Sequence, residues 1–310
     1  MRVLFFGTSD FAVPTLEALI ASRHEVISVV TQPDKPTGRG LQVAISPIKR
    51  TALDHNIPVL QPRRVRSTDF LEVAETLNPD ILVLASFGQI IPQRLLDLPK
   101  FGPINVHGSL LPKYRGAAPI QYSILNGETV TGNTTMWMDA TLDTGDILLQ
   151  QIIEIGPEET SDGLIPRMAQ AGADLLLETL DKLEQGNCPR IPQVHSEATF
   201  APPITAEDSK IDWSKSARQI ANQVRAFSPR PGSFATFHGK RIKLWKVEPL
   251  AGLGNAGEIV EVNKTGVVVG TSNGLLMLIE VQQEGSKRML ASDWARGVRI
   301  VSGTVLEALF

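Results

Sequence analysis

A chain of 310 residues exceeds a comfortable single core, so two domains are expected. With 42% hydrophobic and 20% charged residues it reads as an ordinary globular protein, and no apolar run approaches the roughly 20 residues of a membrane-spanning helix. The single cysteine, Cys188, excludes an intrachain disulfide, and the first strand begins at Arg2 with no room for a leader, so the expected compartment is the cytoplasm.

The net charge of −3 is unevenly spread. Residues 1–66 carry nine Lys and Arg against five Asp and Glu (+4), residues 67–206 seven against 18 (−11), and residues 207–310 fourteen against ten (+4). Two basic ends around an acidic middle fit either a polyanion-binding surface or simply solvated charge.

The apolar run 2–6, RVLFF, ends at Gly7 and predicts a buried strand. Asp10 is placed to cap a helix with an apolar stripe at Phe11, Leu16, Leu19 and Ile20, and residues 26–30 form the second strand. This opening indicates a parallel, Rossmann-like sheet, and the lone Gly7 in the first turn does not predict a dinucleotide. TQPDKPTGRG, 31–40, holds too many prolines and glycines for a regular element and exposes Lys35 and Arg39, either to solvent or to a partner. A helix over 45–55, a short strand over 58–60 and a helix over 70–77 follow. Between the last two lies a basic cluster, Arg63, Arg64 and Arg66, which could touch RNA but reads rather as a solvated loop. Residues 81–85, ILVLA, form another buried strand, and 86–91, SFGQII, lie at its carboxyl end, where open α/β sheets bind ligands.

The stretch 104–120, INVHGSLLPKYRGAAPI, puts Asn105 and His107 on one face of a short strand that runs into an irregular loop. An amide that can donate to an oxyanion, beside an imidazole that can move a proton, suits addition to a carbonyl; the same pair can also merely close a strand end. A carboxylate for such a site is available at Asp143 in LDTGD. A helix over 118–126, strands over 132–138 and 147–153 and a long helix over 164–185 complete the first half. Residues 189–206 are proline-rich and aperiodic and read as an interdomain linker.

Beyond it, a helix over 214–227 precedes short strands over 234–237, 241–247, 257–262, 266–271 and 275–281, with a last one near 301. This spacing suggests a small OB-like barrel. Lys240, Arg241, Lys243 and Lys246 cluster on one of its strands, a pattern for binding an RNA backbone rather than reading bases. His24, His55, His195 and His238 do not cluster with acidic residues at ligand spacing, so no metal is expected.

NVHGSLLPKYRGAAPI with LDTGD, GTSDFAVPTLEAL after the first strand, TQPDKPTGRG after the second and FSPRPGSFATFHGKRIKLWK in the last third together resemble the folate-dependent formyltransferases, specifically the branch acting on methionyl-tRNA. The resemblance runs nearly end to end. It implies a Rossmann-like formyltransferase domain over 1–188, a linker over 189–206 and an OB-like, tRNA-binding barrel over 207–310. The family's triad falls on Asn105, His107 and Asp143. Ser109, Leu110, Leu111 and Pro112 are implied to lie along the folate, with Phe87, Gly88 and Ile90 as a pterin-pocket wall, although Phe87 and Ile90 suit a core equally.

The implied reaction moves the formyl group of 10-formyltetrahydrofolate to the amino group of initiator methionyl-tRNA for translation initiation, without a metal. Asn105 would be the oxyanion donor. His107 would stabilise the same oxygen and pass a proton towards the folate nitrogen, and Asp143 would orient His107 and take the amine proton. Lys35 and Arg39 would reach the acceptor end, and Lys240, Arg241, Lys243 and Lys246 the tRNA backbone. A formyltransferase for a small-molecule amine and a formyl-folate hydrolase share the first domain but explain neither the barrel nor the 31–40 loop. An RNA-binding protein without catalysis would not need the triad. A sugar-nucleotide formyltransferase is expected to need a longer, dehydrogenase-like second half. Nothing requires more than a monomer.

Overall fold

The structure, a computed structural model, describes residues 1–37 and 42–307. The chain divides into two compact units. The first comprises Met1–Pro119, Val130–Glu154 and Ile165–Pro202, and the second Ile120–Thr129, Ile155–Leu164 and the chain from Pro203 on.

The apolar first run forms β1 (Arg2–Gly7). After a short 3-10 turn at Asp10–Ala12 come α1 (Val13–Ala21), β2 (Glu25–Val30), β3 (Lys35–Thr37), β4 (Gln42–Ala44), α2 (Pro47–Asp54) and β5 (Val59–Leu60). Then follow α3 (Thr68–Leu77), β6 (Ile81–Ala85), α4 (Gln93–Leu96), β7 (Pro103–His107), β8 (Arg115–Gly116), α5 (Pro119–Leu125), β9 (Val130–Trp137), β10 (Ile147–Glu154), α6 (Ser161–Glu184) and β11 (Phe200–Ala201).

The main sheet has the order β10-β9-β7-β6-β1-β2-β5. The five strands from β7 to β5 pair in parallel, and β9 and β10 add antiparallel. Both faces of the sheet are covered, which is why its central strands are continuous apolar runs. Val3 and Phe5 of β1 pack with Leu16, Leu19, Leu176 and Leu180 on one face. Leu4 and Phe6 pack with Phe70, Leu71, Phe87 and Leu95 on the other. On β7, Ile104 and Val106 join the first cluster, so strand alternation directs Asn105 and His107 to the opposite face.

The second unit is built around α7 (Ala217–Phe227), which starts with a capping box between Ser216 and Gln219. Strands β12 (Ser233–Phe237), β13 (Lys240–Leu250), β14 (Ile259–Val262), β15 (Val267–Gly270), β16 (Leu275–Gln283) and β17 (Met289–Leu290) precede α8 (Ala291–Gly297). The antiparallel order is β12-β13-β16-β15-β14, with β17 beside β16. Residues 304–307 close the barrel: Ile259 N donates to Thr304 O (2.7 Å), Leu306 N to Gly257 O (2.8 Å) and Glu307 N to Thr236 O (2.9 Å). Ile220 and Val224 of α7 share the interior with Phe237, Ile242, Leu244, Leu278 and Trp294.

Four expectations need correction. Residues 35–37 do form regular structure, pairing with 42–44 as a three-residue antiparallel ladder in which Pro36 itself lies opposite Val43, as an edge strand tolerates. Asp10 makes no helix cap; it lies in the 3-10 turn, and Ser9 hydrogen-bonds Ser86 instead (2.7 Å). The stretch 189–206 is not free linker up to Pro202. Ile191 exchanges backbone bonds with Ile147 (2.8 and 2.9 Å), and β11 pairs with β8, because an extended, proline-containing segment still offers carbonyls and amides to a neighbouring edge. The terminal pairing is at Val305 and Glu307 rather than near 301, and α8 and β17 were not foreseen.

Phe6 is fully buried and meets Phe87 and Phe70 edge-on at 5.3 and 6.4 Å. Phe6→Ala should therefore cost about 3–5 kcal/mol, read from denaturant unfolding of the first unit. A loss below about 1 kcal/mol would contradict this packing.

Candidate functional site

His107 closes β7 opposite Thr134 of β9, and only 5% of it is exposed. Its Nε2 lies 2.9 Å from the Tyr114 carbonyl. A carbonyl can only accept, so Nε2 carries the hydrogen and, in the neutral ring, Nδ1 holds the lone pair. That nitrogen faces Asp143 Oδ2 at 3.7 Å, which is too long for a direct hydrogen bond but close enough for the carboxylate to stabilise a proton gained there. Asn105, two residues back on the same face, is half-buried, and its side-chain amide has no partner among the described residues.

Asp143 is held from two sides. Its Oδ2 accepts the Gly116 amide at 2.8 Å, and its own carbonyl accepts Gln193 Nε2 at 2.9 Å. Gln193 Nε2 also reaches the Gly145 carbonyl (2.7 Å). Its Oε1 receives both Nε (3.0 Å) and Nη2 (2.6 Å) of the buried Arg115. Arginine only donates and the two carbonyls only accept, so the amide orientation of Gln193 is unambiguous. These bonds hold Asp143 at φ +53°, a left-handed conformation that a non-glycine residue keeps only when its surroundings demand it. Gly116 must be glycine: at φ +122° a Cβ would sit 2.6 Å from Ala201 O.

The 108–116 loop is pinned beneath this site. Ser109 is fully buried and donates to Lys113 O (2.6 Å). Thr134 Oγ1 donates to Ser109 O (2.6 Å) and receives Leu111 N (3.1 Å). Leu111 packs with Met136 and Ile147. Of the four expected folate contacts, Ser109 and Leu111 therefore support the loop, while Leu110 and Pro112 stay half-exposed. Ala85 pairs with Val106, so the 86–91 loop leaves the sheet level with His107. Within it Phe87 is core, whereas Gly88 (φ +84°) and Ile90 (80% exposed) are open.

Lys35 begins β3 and is described by its backbone only, and Arg39 lies outside the described residues. In the second unit Lys240, Arg241 and Lys246 are exposed. Arg241 sits over the Phe234 ring at 4.7 Å. Lys243 is half-buried: it donates to Pro229 O (2.7 Å) and lies 3.9 Å over the Trp245 ring. Burial, and secondarily Arg230, push its ammonium below the usual lysine range.

Sequence reasoning missed Gln193 and the Tyr114 carbonyl, since neither belongs to a local pattern that includes His107 or Asp143. The expectation that no histidine clusters with acidic residues fails for His24, which gathers with Asp181 and Glu184. Those carboxylates pair with Arg23 (2.7 and 2.5 Å), which marks a structural ion cluster.

Residues 1–180 match the Formyl transferase family, and residues 203–299 the Formyl transferase C-terminal domain. The chain is 47% identical over 303 residues to the methionyl-tRNA formyltransferase of Geobacter metallireducens, covering 98% of this chain and 97% of that protein. It is 46% identical over 309 residues to that of Acetivibrio thermocellus, covering 99% of each. Among solved structures, HypX from Aquifex aeolicus in complex with tetrahydrofolic acid superposes with a TM-score of 0.63 at 20% identity, over 95% of this chain and 47% of that one. The chain thus spans about half the length of HypX. An N-formyltransferase from Helicobacter canadensis in complex with folinic acid and dTDP-3-aminofucose gives 0.67 at 20% identity, over 90% of this chain and 98% of that one. These two likenesses show the fold alone. The second corrects the expectation on length: a formyltransferase crystallised with a sugar nucleotide is almost wholly covered by this chain, so length does not separate the two classes.

Gln193→Glu keeps a partner for Arg115 but turns a carboxylate towards the carbonyls of Asp143 and Gly145. The variant should fold, and its turnover should fall at least tenfold with little change in KM for the formyl donor. Unchanged turnover in steady-state kinetics would mean that Gln193 does not hold Asp143.

Proposed function

We propose, for a chain that belongs to the formyl transferase family, that it moves the formyl group of 10-formyltetrahydrofolate to the amino group of initiator methionyl-tRNA. Support comes from near-full-length identity to methionyl-tRNA formyltransferases. The observation that supports the chemistry is the 3.7 Å approach of His107 Nδ1 to Asp143 Oδ2, with Asn105 two residues back on the same strand. No helix among the described residues is long and apolar enough to cross a membrane. One copy holds the whole triad, and the proposed working form is a cytoplasmic monomer.

10-Formyltetrahydrofolate supplies a formyl carbon open to attack by an amine. The free amide of Asn105 donates to the oxygen on which negative charge develops as the amine adds. Nδ1 of His107 accepts the proton that the amine must lose, and the resulting imidazolium is stabilised by the Asp143 carboxylate. From there Nδ1–H returns the proton to the departing nitrogen. This differs from the expectations that His107 stabilises the oxyanion and that Asp143 takes the amine proton, because the Nε2–H is already given to Tyr114 O and the bare Nδ1 is the acceptor. Exposed Gly88 and Ile90 in the 86–91 loop, with half-exposed Leu110 and Pro112 just after His107, suit the flat folate rings. Lys35 and Arg39 of the 31–40 loop are assigned to the acceptor end, and Lys240, Arg241 and Lys246 to the tRNA backbone. Lys243, half-buried against Pro229 and Trp245, has a smaller share.

The test is formyl transfer from 10-formyltetrahydrofolate to charged initiator tRNA, compared with glycinamide ribonucleotide and with hydrolysis. Preference for either alternative would overturn the reading. Asn105→Ala and His107→Ala should each lower kcat by about a hundredfold or more in folded protein. Wild-type turnover in either variant would remove the triad assignment.

A further inference from the structure

Three guanidinium groups crowd the loop that leaves the edge strand β5. Arg63, Arg64 and Arg66 are exposed, and their side chains meet no carboxylate and no hydrogen-bond partner among the described residues. Yet this is not a loose, solvated loop. Val65, between them, is 1% exposed and locked in the cluster with Phe6, Phe70 and Phe87, and its amide donates to Gln89 Oε1 at 3.0 Å. Gln61, where the loop begins, donates to Gln32 O (3.0 Å) and Asp34 Oδ1 (2.8 Å). The loop is thereby joined to the chain leaving β2, at the stem of the β3–β4 ladder.

The nearby acids do not neutralise these arginines. Asp34 is taken by Lys49 at 2.5 Å. Asp69 and Glu72 of α3 are exposed and form no ion pair with them. Helix stability does not explain the cluster either, since cations just before α3 sit at the end of the helix dipole that prefers anions. What remains, on a backbone anchored at Val65, is a ledge of three guanidinium forks unpaired among the described residues, the group best shaped to grip phosphates.

We propose that this ledge binds the phosphate backbone of the tRNA acceptor arm. The proposal rests on the tRNA reading above and adds a surface to it. The parallel strands all end at one edge of the sheet, and β5 lies four strand spacings from β7. The ledge does not stay at β5, however: the Val65 amide bonds Gln89 Oε1 (3.0 Å) in the 86–91 loop, which follows β6, the neighbour of β7, and leaves the sheet level with His107. With its amine at His107, a tRNA brings the backbone phosphates near its aminoacyl end towards that same carboxyl edge of the sheet.

The experiment uses the full chain with Arg63→Gln, Arg64→Gln and Arg66→Gln combined, titrated with charged initiator tRNA over a range of salt concentrations. The expected result is weaker binding, with the log–log salt slope reduced by about 0.7–0.9 per lost contact, or about two to three in all. Thermal stability and affinity for formyl-folate should match the parent. An unchanged slope and affinity would overturn the proposal alone. So would a selective loss of affinity for polyglutamylated formyl-folate, which would assign the ledge to the folate tail. A parent that shows no salt-dependent tRNA binding would overturn this proposal together with the tRNA reading.

Discussion

The hydrogen bond between His107 Nε2 and the Tyr114 carbonyl decides what the rest of the site can do. It fixes which nitrogen carries the hydrogen and leaves the lone pair of Nδ1 facing a carboxylate 3.7 Å away. Two acceptors facing each other at that distance gain nothing until a proton arrives between them. The arrangement is thus poised for proton uptake, and that is what an amine attacking a carbonyl needs. Around it the fold invests in rigidity. The loop that presents Tyr114 O is pinned through Ser109, Thr134 and Leu111, and the Asp143 turn is clamped by Gly116 N and Gln193.

The sheet explains why the site is where it is. Burial on both faces forces apolar side chains at nearly every central position, and β7 departs from this at Asn105 and His107. Ile104 and Val106 still anchor the strand in the core that includes α1 and α6. The polar pair projects from the opposite face, at the carboxyl end where the 86–91 and 108–116 loops emerge.

Much of this was legible in the sequence. Alternation placed Asn105 and His107 on one face, and the continuous apolar runs announced a covered parallel sheet. What could not be read arises from contacts between distant segments. Gln193 reaches Asp143 across 50 residues from a stretch whose prolines read as a linker. Ser109 belongs to a motif implied to line the folate, yet its hydroxyl is spent inside its own loop. The barrel strands were visible as short β-rich runs, but closure depends on 304–307, which has no periodicity to find. The long helix α6 starts three residues earlier than its apolar stripe, because amphipathic spacing locates the buried face and not the first turn.

The claim on which the account turns is the state of one imidazole ring. Nitrogen-15 chemical shifts of His107 in the resting protein, with the ring neutral, measure it directly. The account predicts a hydrogen on Nε2 and a bare Nδ1. A resting ring with its hydrogen on Nδ1 would contradict it, because the nitrogen facing Asp143 would then have no lone pair with which to accept the proton of the incoming amine.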